Sequence, residues 1–268
     1  MKTLIDNLSV YTKGNPSNPA IVFIHGFPFD HTLWDTIIEQ LHQTYYCISY
    51  DLRGLGNSEV GHGQYTMESY VDDLEQIIVQ LNLTHVILCG FSMGGYIALR
   101  ASQRLNNINA LILANTTTSS DSDEAKLKRA NAIQKITQEG LNPFLENFFS
   151  VAFSKNYQEK HIDCVNLLKQ KIQQFNPIGV KGALLAMISR TDTTEHLHQQ
   201  TLPTLFIESS DDAVIPTDTM KKLASKTNNS HYVQLQNSGH LSMIEQPQAF
   251  VSAINKFLIS YSKGELSR

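Results

Sequence analysis

The stretch HVILCGFSMGG, residues 85–95, decides the fold class of this chain. Its apolar start is typical of a buried strand, and the residues after Ser92 continue as a helix. A sharp strand-to-helix turn strains the backbone of its serine and projects the hydroxyl above the sheet edge. The Gly-x-Ser-x-Gly string alone is common, but this strand before it and helix after it make it specific. We therefore predict that Ser92 is a nucleophile, beside the positive end of a helix dipole.

Apolar runs of the same kind recur on both sides of this stretch and predict a parallel sheet buried on both faces. The predicted strands are residues 20–25, 45–50, 85–89, 110–113, 203–207 and 232–235. Amphipathic spacing predicts helices between and after them at residues 33–42, 67–81, 97–105 and 250–259. This alternation indicates an α/β fold with a mostly parallel sheet flanked by helices.

One region interrupts the alternation. Residues 117–198 contain no convincing strand, but show helical patterns at 123–138, 141–150, 159–174 and 180–190. This length exceeds that of an ordinary crossover between strands. We predict a helical cap, residues 117–198, inserted into a core domain formed by residues 1–116 and 199–268.

Composition excludes several classes of function. The chain has 268 residues, 41% of them apolar, and a net charge of −4 without a dense basic cluster, so nucleic acid is not an expected partner. The N-terminus lacks the apolar segment of a signal peptide, and no apolar run reaches the roughly 18 residues that span a bilayer. Three scattered cysteines favour neither disulfides nor a metal site. We expect a cytoplasmic protein without membrane attachment.

A serine nucleophile needs a base within hydrogen-bond reach and a carboxylate that orients the base. Loops after the last two predicted strands supply both: ESSDDAVIP contains Asp211 and Asp212, and QNSGH ends at His240. Both loops follow parallel strands at their carboxyl ends, the edge where Ser92 is expected. The base is therefore His240, whereas spacing alone leaves Asp211 and Asp212 as alternatives for the acid.

Five segments in this order resemble the α/β-hydrolase superfamily over nearly the whole chain. They are HGFP at 25–28, DLRGLGNS at 51–58, GFSMGG at 90–95, DAVIP at 212–216 and SGH at 238–240. Within the superfamily the chain is similar to capped serine esterases, lactonases and perhydrolases, including enol-lactone hydrolases and carboxylesterases. The resemblance implies Asp212 as the acid, four residues before Pro216. It also implies an oxyanion hole formed by the backbone N–H groups of Phe27 and Met93.

Some members of the superfamily carry the acid after the sixth strand instead, where Asp121 and Asp123 are loosely placed. Other residues have structural interpretations. His25 is expected to hold the oxyanion loop, and residues 51–58 are expected to support the site. Trp34 is expected to lie in the core, and Arg190 is expected to lie on the surface. Most aromatic residues of the cap are expected in its core, with a few lining an apolar pocket.

The predicted activity is hydrolysis of a small carboxylic ester or lactone through an acyl-enzyme on Ser92, without cofactor or metal. His196 and His198 have no third ligand nearby. Carbon–carbon bond hydrolysis or a lyase reaction on the same triad is the alternative, and Pro28 leaves perhydrolysis open as a side activity. A ligand sensor that retains the triad is an alternative of another class. The sequence leaves open whether the protein is a monomer or a homo-oligomer.

Overall fold

The computed structural model describes residues 1–63 and 65–262. In these residues, eight strands form one sheet in the order β1-β2-β4-β3-β5-β6-β7-β8. The strands are β1 (Lys2–Ile5), β2 (Leu8–Lys13), β3 (Ala20–Ile24), β4 (Tyr46–Tyr50), β5 (Val86–Phe91), β6 (Ile108–Ala114), β7 (Thr204–Ser209) and β8 (Ser230–Leu235).

Twelve α-helices and a 3₁₀ helix at His31–Trp34 lie in the same residues. The α-helices are α1 (Asp35–Leu41), α2 (Met67–Gln80), α3 (Met93–Arg104), α4 (Asp123–Glu139), α5 (Leu141–Ala152), α6 (Lys155–Lys160), α7 (Ile162–Gln173), α8 (Pro177–Ile188), α9 (Thr194–Gln199), α10 (Thr219–Ala224), α11 (Ser242–Glu245) and α12 (Pro247–Ser262). Within the described ranges, no helix has both the length and the apolar character required to cross a membrane.

Strands β3 to β8 are parallel, and every residue of β3, β4, β5 and β7 is buried. Continuous burial explains why these strands read as unbroken apolar runs and not as alternating ones. The predicted mostly parallel sheet flanked by helices is confirmed. Because the strands are parallel, the loops that follow β5, β7 and β8 emerge at one edge of the sheet.

The N-terminal hairpin of β1 and β2 was not predicted. Strand β1 pairs antiparallel with β2, and β2 pairs antiparallel with β4. Asp6 and Asn7 connect the two strands with positive φ angles of 45° and 69°. A two-residue turn of this conformation favours Asn, Asp and Gly, so the Asp-Asn pair was the available signal.

Six helices, α4 to α9, lie between β6 and β7, and we call them the cap helices. The four helical patterns of this region are found with small shifts, and no strand lies among the described residues 117–198. The pattern at 159–174 is divided at His161, which separates α6 from α7. Helix α8 begins earlier than predicted, at Pro177, because proline suits the first helical position after the Asn176 cap. The division into a core domain and a cap of residues 117–198 stays a prediction.

Candidate active site

Ser92 lies in the turn between β5 and α3, with φ 50° and ψ −116°. This positive φ is sparsely populated by residues with a side chain. The turn is held by the Ser92 N–H, which donates to the carbonyl of Ala114 at 3.0 Å, and by Thr116 Oγ1, which donates to the Ser92 carbonyl at 2.8 Å. A Cβ at Gly94 would lie 2.1 Å from the Ile24 carbonyl oxygen, so glycine is required where α3 passes β3.

Three side chains form a continuous hydrogen-bonded line at this edge of the sheet. His240 Nε2 lies 3.0 Å from Ser92 Oγ, and His240 Nδ1 lies 2.7 Å from Asp212 Oδ2. His240 is 1% exposed and Asp212 is 8% exposed, so their contact is shielded from water, whereas the contact of His240 with the half-buried Ser92 is only partly so. The other oxygen of Asp212 accepts the backbone N–H groups of Val214 and Ile215 at 2.7 and 2.9 Å.

Asp211, the other candidate for the acid, is exposed, and its carboxylate accepts a hydrogen bond from Ser210 at 3.1 Å. Its backbone N–H donates to the carbonyl of Ser238. The carboxylate within hydrogen-bond distance of the His240 ring is therefore that of Asp212.

The loop after β3 passes directly over the serine turn. His25 is fully buried, with Nδ1 2.9 Å from the Gly26 carbonyl oxygen and Nε2 3.0 Å from the backbone nitrogen of Leu52. The first contact makes Nδ1 the donor and the second makes Nε2 the acceptor, which is the pattern of a neutral imidazole. Burial lowers the pKa of His25, which favours the same form. The prediction that His25 holds this loop is confirmed.

Phe27 lies in this loop, and Met93 follows Ser92 as the first residue of α3. Met93 is fully buried, and Phe27 is 7% exposed. The Phe27 ring packs against Phe144 and Phe148 of α5, with ring centroids 5.8 and 6.3 Å apart. A cap helix therefore contacts the residue whose N–H is a predicted oxyanion donor.

A cavity of about 640 Å³ lies between the cap helices and the sheet edge. Phe27, Ala213 and Val214 line it from the core, and both apolar and polar side chains, Lys128 and Arg129 among them, line it from the cap. The cap residues include Ala125, Ala132, Phe144, Phe148, Val151 and Leu184. Ser92, Asp212 and His240 are not among its described lining residues, but Ala213 and Val214, which follow Asp212, are. Phe149, Phe153 and Phe175 are buried in the core instead. The aromatic residues of the cap therefore form two groups, one in the core and one that lines the cavity.

Asp121 belongs to an ion-pair cluster at the base of the cap helices and lies outside the hydrogen-bonded line. It pairs with Arg129 at 2.5 Å and with Arg190, whose guanidinium also donates to the Ser119 carbonyl at 2.8 Å. Burial acts to raise the pKa of Asp121, but the two arginines outweigh it and hold that pKa below its ordinary value. Arg190 is 8% exposed, so the expected surface position is wrong, because an ionised carboxylate compensates its burial.

We expect Asp121→Ala to lower the free energy of unfolding by about 3 kcal/mol, because it leaves the Arg190 guanidinium buried without a counter-charge. Asp123→Ala is the matched control, since its side chain is 98% exposed and pairs with Lys126 at the surface. The control should change stability by less than about 0.5 kcal/mol. Urea unfolding of both variants measures the difference. A loss below about 1 kcal/mol in Asp121→Ala would contradict a stabilising role for this cluster.

Two buried residues outside the hydrogen-bonded line hold the backbone around His240. Asn115 follows β6 with φ 43°, and its Nδ2 donates to the His240 carbonyl at 2.6 Å. Glu245 of α11 accepts the Gly239 N–H at 3.1 Å. Sequence analysis did not find either residue. An asparagine at the carboxyl end of a strand was the available signal for the first, whereas no local pattern distinguishes the second.

Asp30, His31 and Asp51 are the group in the described residues whose ligand atoms lie close enough together, within 4.8 Å, to hold a metal ion. Each already has a partner. His31 Nδ1 lies 2.6 Å from Asp51 Oδ1, and Lys171 Nζ lies 2.6 Å from Asp30. Burial acts to raise the pKa of Asp51, but the bonds from His31 and Asn57 outweigh it, so that pKa is lowered. These contacts account for the arrangement as support for the loop after β3.

Comparisons with known proteins agree with the fold. A family model described as the alpha/beta hydrolase fold matches residues 19–247. The chain is 28% identical over 256 residues to 3-oxoadipate enol-lactonase 1 of Acinetobacter baylyi, over 94% of this chain and 93% of that protein. A malate-bound esterase structure from Thermogutta terrifontis matches with a TM-score of 0.91 and 30% identity, over 96% of this chain and 98% of that one. The enol-lactonase of Burkholderia xenovorans LB400 shares the fold, with a TM-score of 0.88 at 23% identity over 97% of this chain and all of that one.

Proposed function

Since the chain belongs to the alpha/beta hydrolase fold family, we propose that it is a serine hydrolase that cleaves a small carboxylic ester or lactone. The observation that carries this proposal is the hydrogen-bonded line from Ser92 through His240 to Asp212, with heavy-atom distances of 3.0 and 2.7 Å. Distances of this size are those of an activated serine and an oriented base. Relatives named as an enol-lactonase and an esterase support the same class of substrate.

In the acylation step, Ser92 Oγ attacks the substrate carbonyl carbon while His240 Nε2 takes the hydroxyl proton. Asp212, bonded to Nδ1, stabilises the imidazolium that forms and keeps Nε2 free to accept. The N–H groups of Phe27 and Met93 stabilise the oxyanion of the tetrahedral intermediate, each contributing about 3 kcal/mol to the transition state. His240 then returns its proton to the departing alkoxide, and an acyl-enzyme on Ser92 remains.

Deacylation repeats the sequence with water as the nucleophile. His240 removes a proton from the water as it attacks the acyl carbonyl, and then protonates Ser92 Oγ as the bond to the acyl group breaks. The products are a carboxylic acid and an alcohol. From a lactone they are the two ends of one hydroxy acid, because the leaving oxygen belongs to the same molecule as the acyl group. For an enol-lactone, the enol end converts to a ketone.

The cavity of about 640 Å³ beside Phe27 suits a small apolar portion of the substrate. Its volume falls within the range of small-molecule sites, roughly 300–1,000 Å³. Phe144, Phe148 and Leu184 provide apolar contact, and Phe27, whose N–H is a predicted oxyanion donor, lines the same cavity. We propose that the acyl chain of the substrate occupies this cavity.

Stopped-flow hydrolysis of p-nitrophenyl butyrate by the purified protein tests the proposed activity. Release of p-nitrophenolate well beyond one equivalent is the expected course, and a burst of one equivalent precedes it where deacylation is the slower step. A burst without further turnover would favour the ligand-sensor alternative. Complete absence of reaction with both this ester and a small enol-lactone would contradict ester hydrolysis.

Ala132→Trp tests the assignment of the cavity, because Ala132 lines it from α4. An indole that excludes two methylene groups of an octanoyl chain should raise KM for p-nitrophenyl octanoate about tenfold. The acetate ester should be unaffected. Ala130→Trp is the matched control, since Ala130 is exposed on the same helix and does not line the cavity. Equal chain-length profiles in the two variants would place the acyl chain elsewhere.

A further inference from the structure

Two peptide groups near His240, Ser238–Gly239 and His240–Leu241, are held by side chains from separate elements. The N–H of Gly239 donates to Glu245 Oε1 at 3.1 Å, and the carbonyl of His240 accepts from Asn115 Nδ2 at 2.6 Å. Since an imidazole is carried by its backbone, these two bonds determine where the ring can reach. The position of the proposed base therefore depends on Glu245 as well as on Asp212.

Glu245 also bonds to the cap. Ser154 Oγ donates to Glu245 Oε2 at 2.6 Å, and the Ser154 N–H lies 3.3 Å from both carboxylate oxygens. Ser154 stands between α5 and α6 and caps α6 by accepting the N–H of Tyr157 at 3.2 Å. Burial raises the pKa of Glu245 above its ordinary value, against the bonds that Ser154 and Gly239 donate to its carboxylate oxygens. One buried carboxylate thus joins the α5–α6 junction to the loop of His240.

Close packing leaves little room for this junction to move independently. A Cβ at Gly239 would lie 2.3 Å from the Ser154 nitrogen and 2.6 Å from the Phe153 carbonyl carbon. The backbone of Phe153 and Ser154 therefore packs directly against Gly239, the residue before His240. Glu245 is 9% exposed, so water does not compete freely for its contacts.

We propose that Glu245 is a positioning residue that ties the α5–α6 junction of the cap to the loop of His240, and so holds the imidazole within reach of Ser92. This inference rests on the proposed serine-hydrolase function. Helix α5 also carries Phe144 and Phe148, which line the cavity. The same carboxylate therefore connects the helix that contacts the substrate to the base that acts on it.

Glu245→Ala should lower kcat for p-nitrophenyl acetate by about 30- to 100-fold, because a displacement near 1 Å at a reacting group has an effect of that size. KM should stay within about threefold of wild type, since the loss arises in the transition state. Glu245→Gln should retain kcat within about fivefold, because its amide oxygen can accept from Gly239 and its NH₂ can donate to Ser154 Oγ. Phosphonylation of Ser92 by a small alkyl fluorophosphonate should slow by the same factor in Glu245→Ala.

Glu208→Ala is the matched control for loss of a buried carboxylate. Glu208 is 3% exposed and accepts bonds from the Met220 N–H at 3.0 Å and from the Tyr232 hydroxyl at 2.5 Å. It makes no hydrogen bond to Ser92, Asp212 or His240 in the described residues. The folded fraction of each variant is measured by thermal unfolding, and kcat is referred to folded protein. Glu208→Ala should keep kcat close to wild type even where its melting temperature falls.

If Glu245→Ala does not fold, a pair of serine variants tests the proposed link between Glu245 and the α5–α6 junction. Ser154→Ala and Ser122→Ala both remove the N-cap side chain of a cap helix, but only Ser154 contacts Glu245. We expect kcat to fall about five- to tenfold in Ser154→Ala and to stay unchanged in Ser122→Ala. Equal kcat values in these two variants would overturn the proposed link.

The outcomes separate this inference from the function on which it rests. A wild type that hydrolyses the ester, beside a folded Glu245→Ala with the same kcat, would overturn the positioning role alone. Equal kcat losses in Glu245→Ala and Glu208→Ala would overturn it as well, because they would reflect general destabilisation. A wild type that neither hydrolyses esters nor reacts with the fluorophosphonate would overturn the serine-hydrolase function and this inference with it.

Discussion

Ser92→Ala is expected to lower kcat for ester hydrolysis by about 10⁶-fold, the loss that follows removal of the nucleophile of a serine-histidine-acid site. Without Oγ there is no acyl-enzyme, and His240 has no hydroxyl to deprotonate at 3.0 Å. Residual catalysis of about 10³–10⁴ over water should remain from the oxyanion hole and substrate binding. The turn should persist, because Ala and Ser have similar difficulty in adopting φ 50°.

Two measurements check this result. Steady-state hydrolysis gives the change in kcat, and mass spectrometry after fluorophosphonate treatment should find the label on Ser92 in the wild type and none in Ser92→Ala. Ser49→Ala is the control, since it removes another buried hydroxyl, in β4, that makes no hydrogen bond with Ser92, His240 or Asp212 within the part of the chain that the structure describes. A Ser92→Ala protein that keeps more than about a tenth of the wild-type kcat would refute the acyl-enzyme mechanism.

Asp212→Asn is expected to lower kcat about 10⁴-fold through the tautomer of His240. Asp212 Oδ1 accepts two backbone N–H groups, from Val214 and Ile215. In the variant, the amide oxygen should take this position, which directs the NH₂ group toward His240 Nδ1. Nδ1 then has to accept a hydrogen bond, so the ring proton resides on Nε2. An imidazole in this form cannot take the proton of Ser92.

Asp211→Asn is the matched control, because the same substitution at the preceding, exposed residue leaves His240 Nδ1 bonded to Asp212. Its kcat should stay within about twofold of wild type. The pH dependence of kcat/KM should be measured for both variants together with their thermal unfolding. Strong loss in Asp211→Asn beside normal activity in Asp212→Asn would reverse the assignment of the acid.

The sequence predicted well those features that depend on neighbouring residues. The apolar runs predicted β3 to β8 to within about two residues at each end. Strands β3, β4, β5 and β7 show their burial in every residue, as strands buried on both faces do, whereas β8 is mostly half-buried. The β1–β2 hairpin was missed, since its short strands are partly exposed and their pattern is weak. Helices with a long amphipathic pattern were predicted as single helices. The predicted helix 159–174 is instead divided at His161 into α6 and α7, and no local pattern indicated this break.

The sequence by itself determined the class of fold, the strand-turn-helix position of Ser92 and the order in which the serine, acid and histidine follow one another. The resemblance implied Asp212 as the acid, but the tertiary structure showed which carboxylate contacts His240, buried Arg190 against Asp121, and divided the cap aromatics between core and cavity. It alone brought Asn115 and Glu245 to the loop of His240. Turn chemistry and burial periodicity are local, whereas the bond from Asn115 to His240 joins residues 125 positions apart. Such contacts depend on which loops meet at one edge of the sheet, and no local pattern records that.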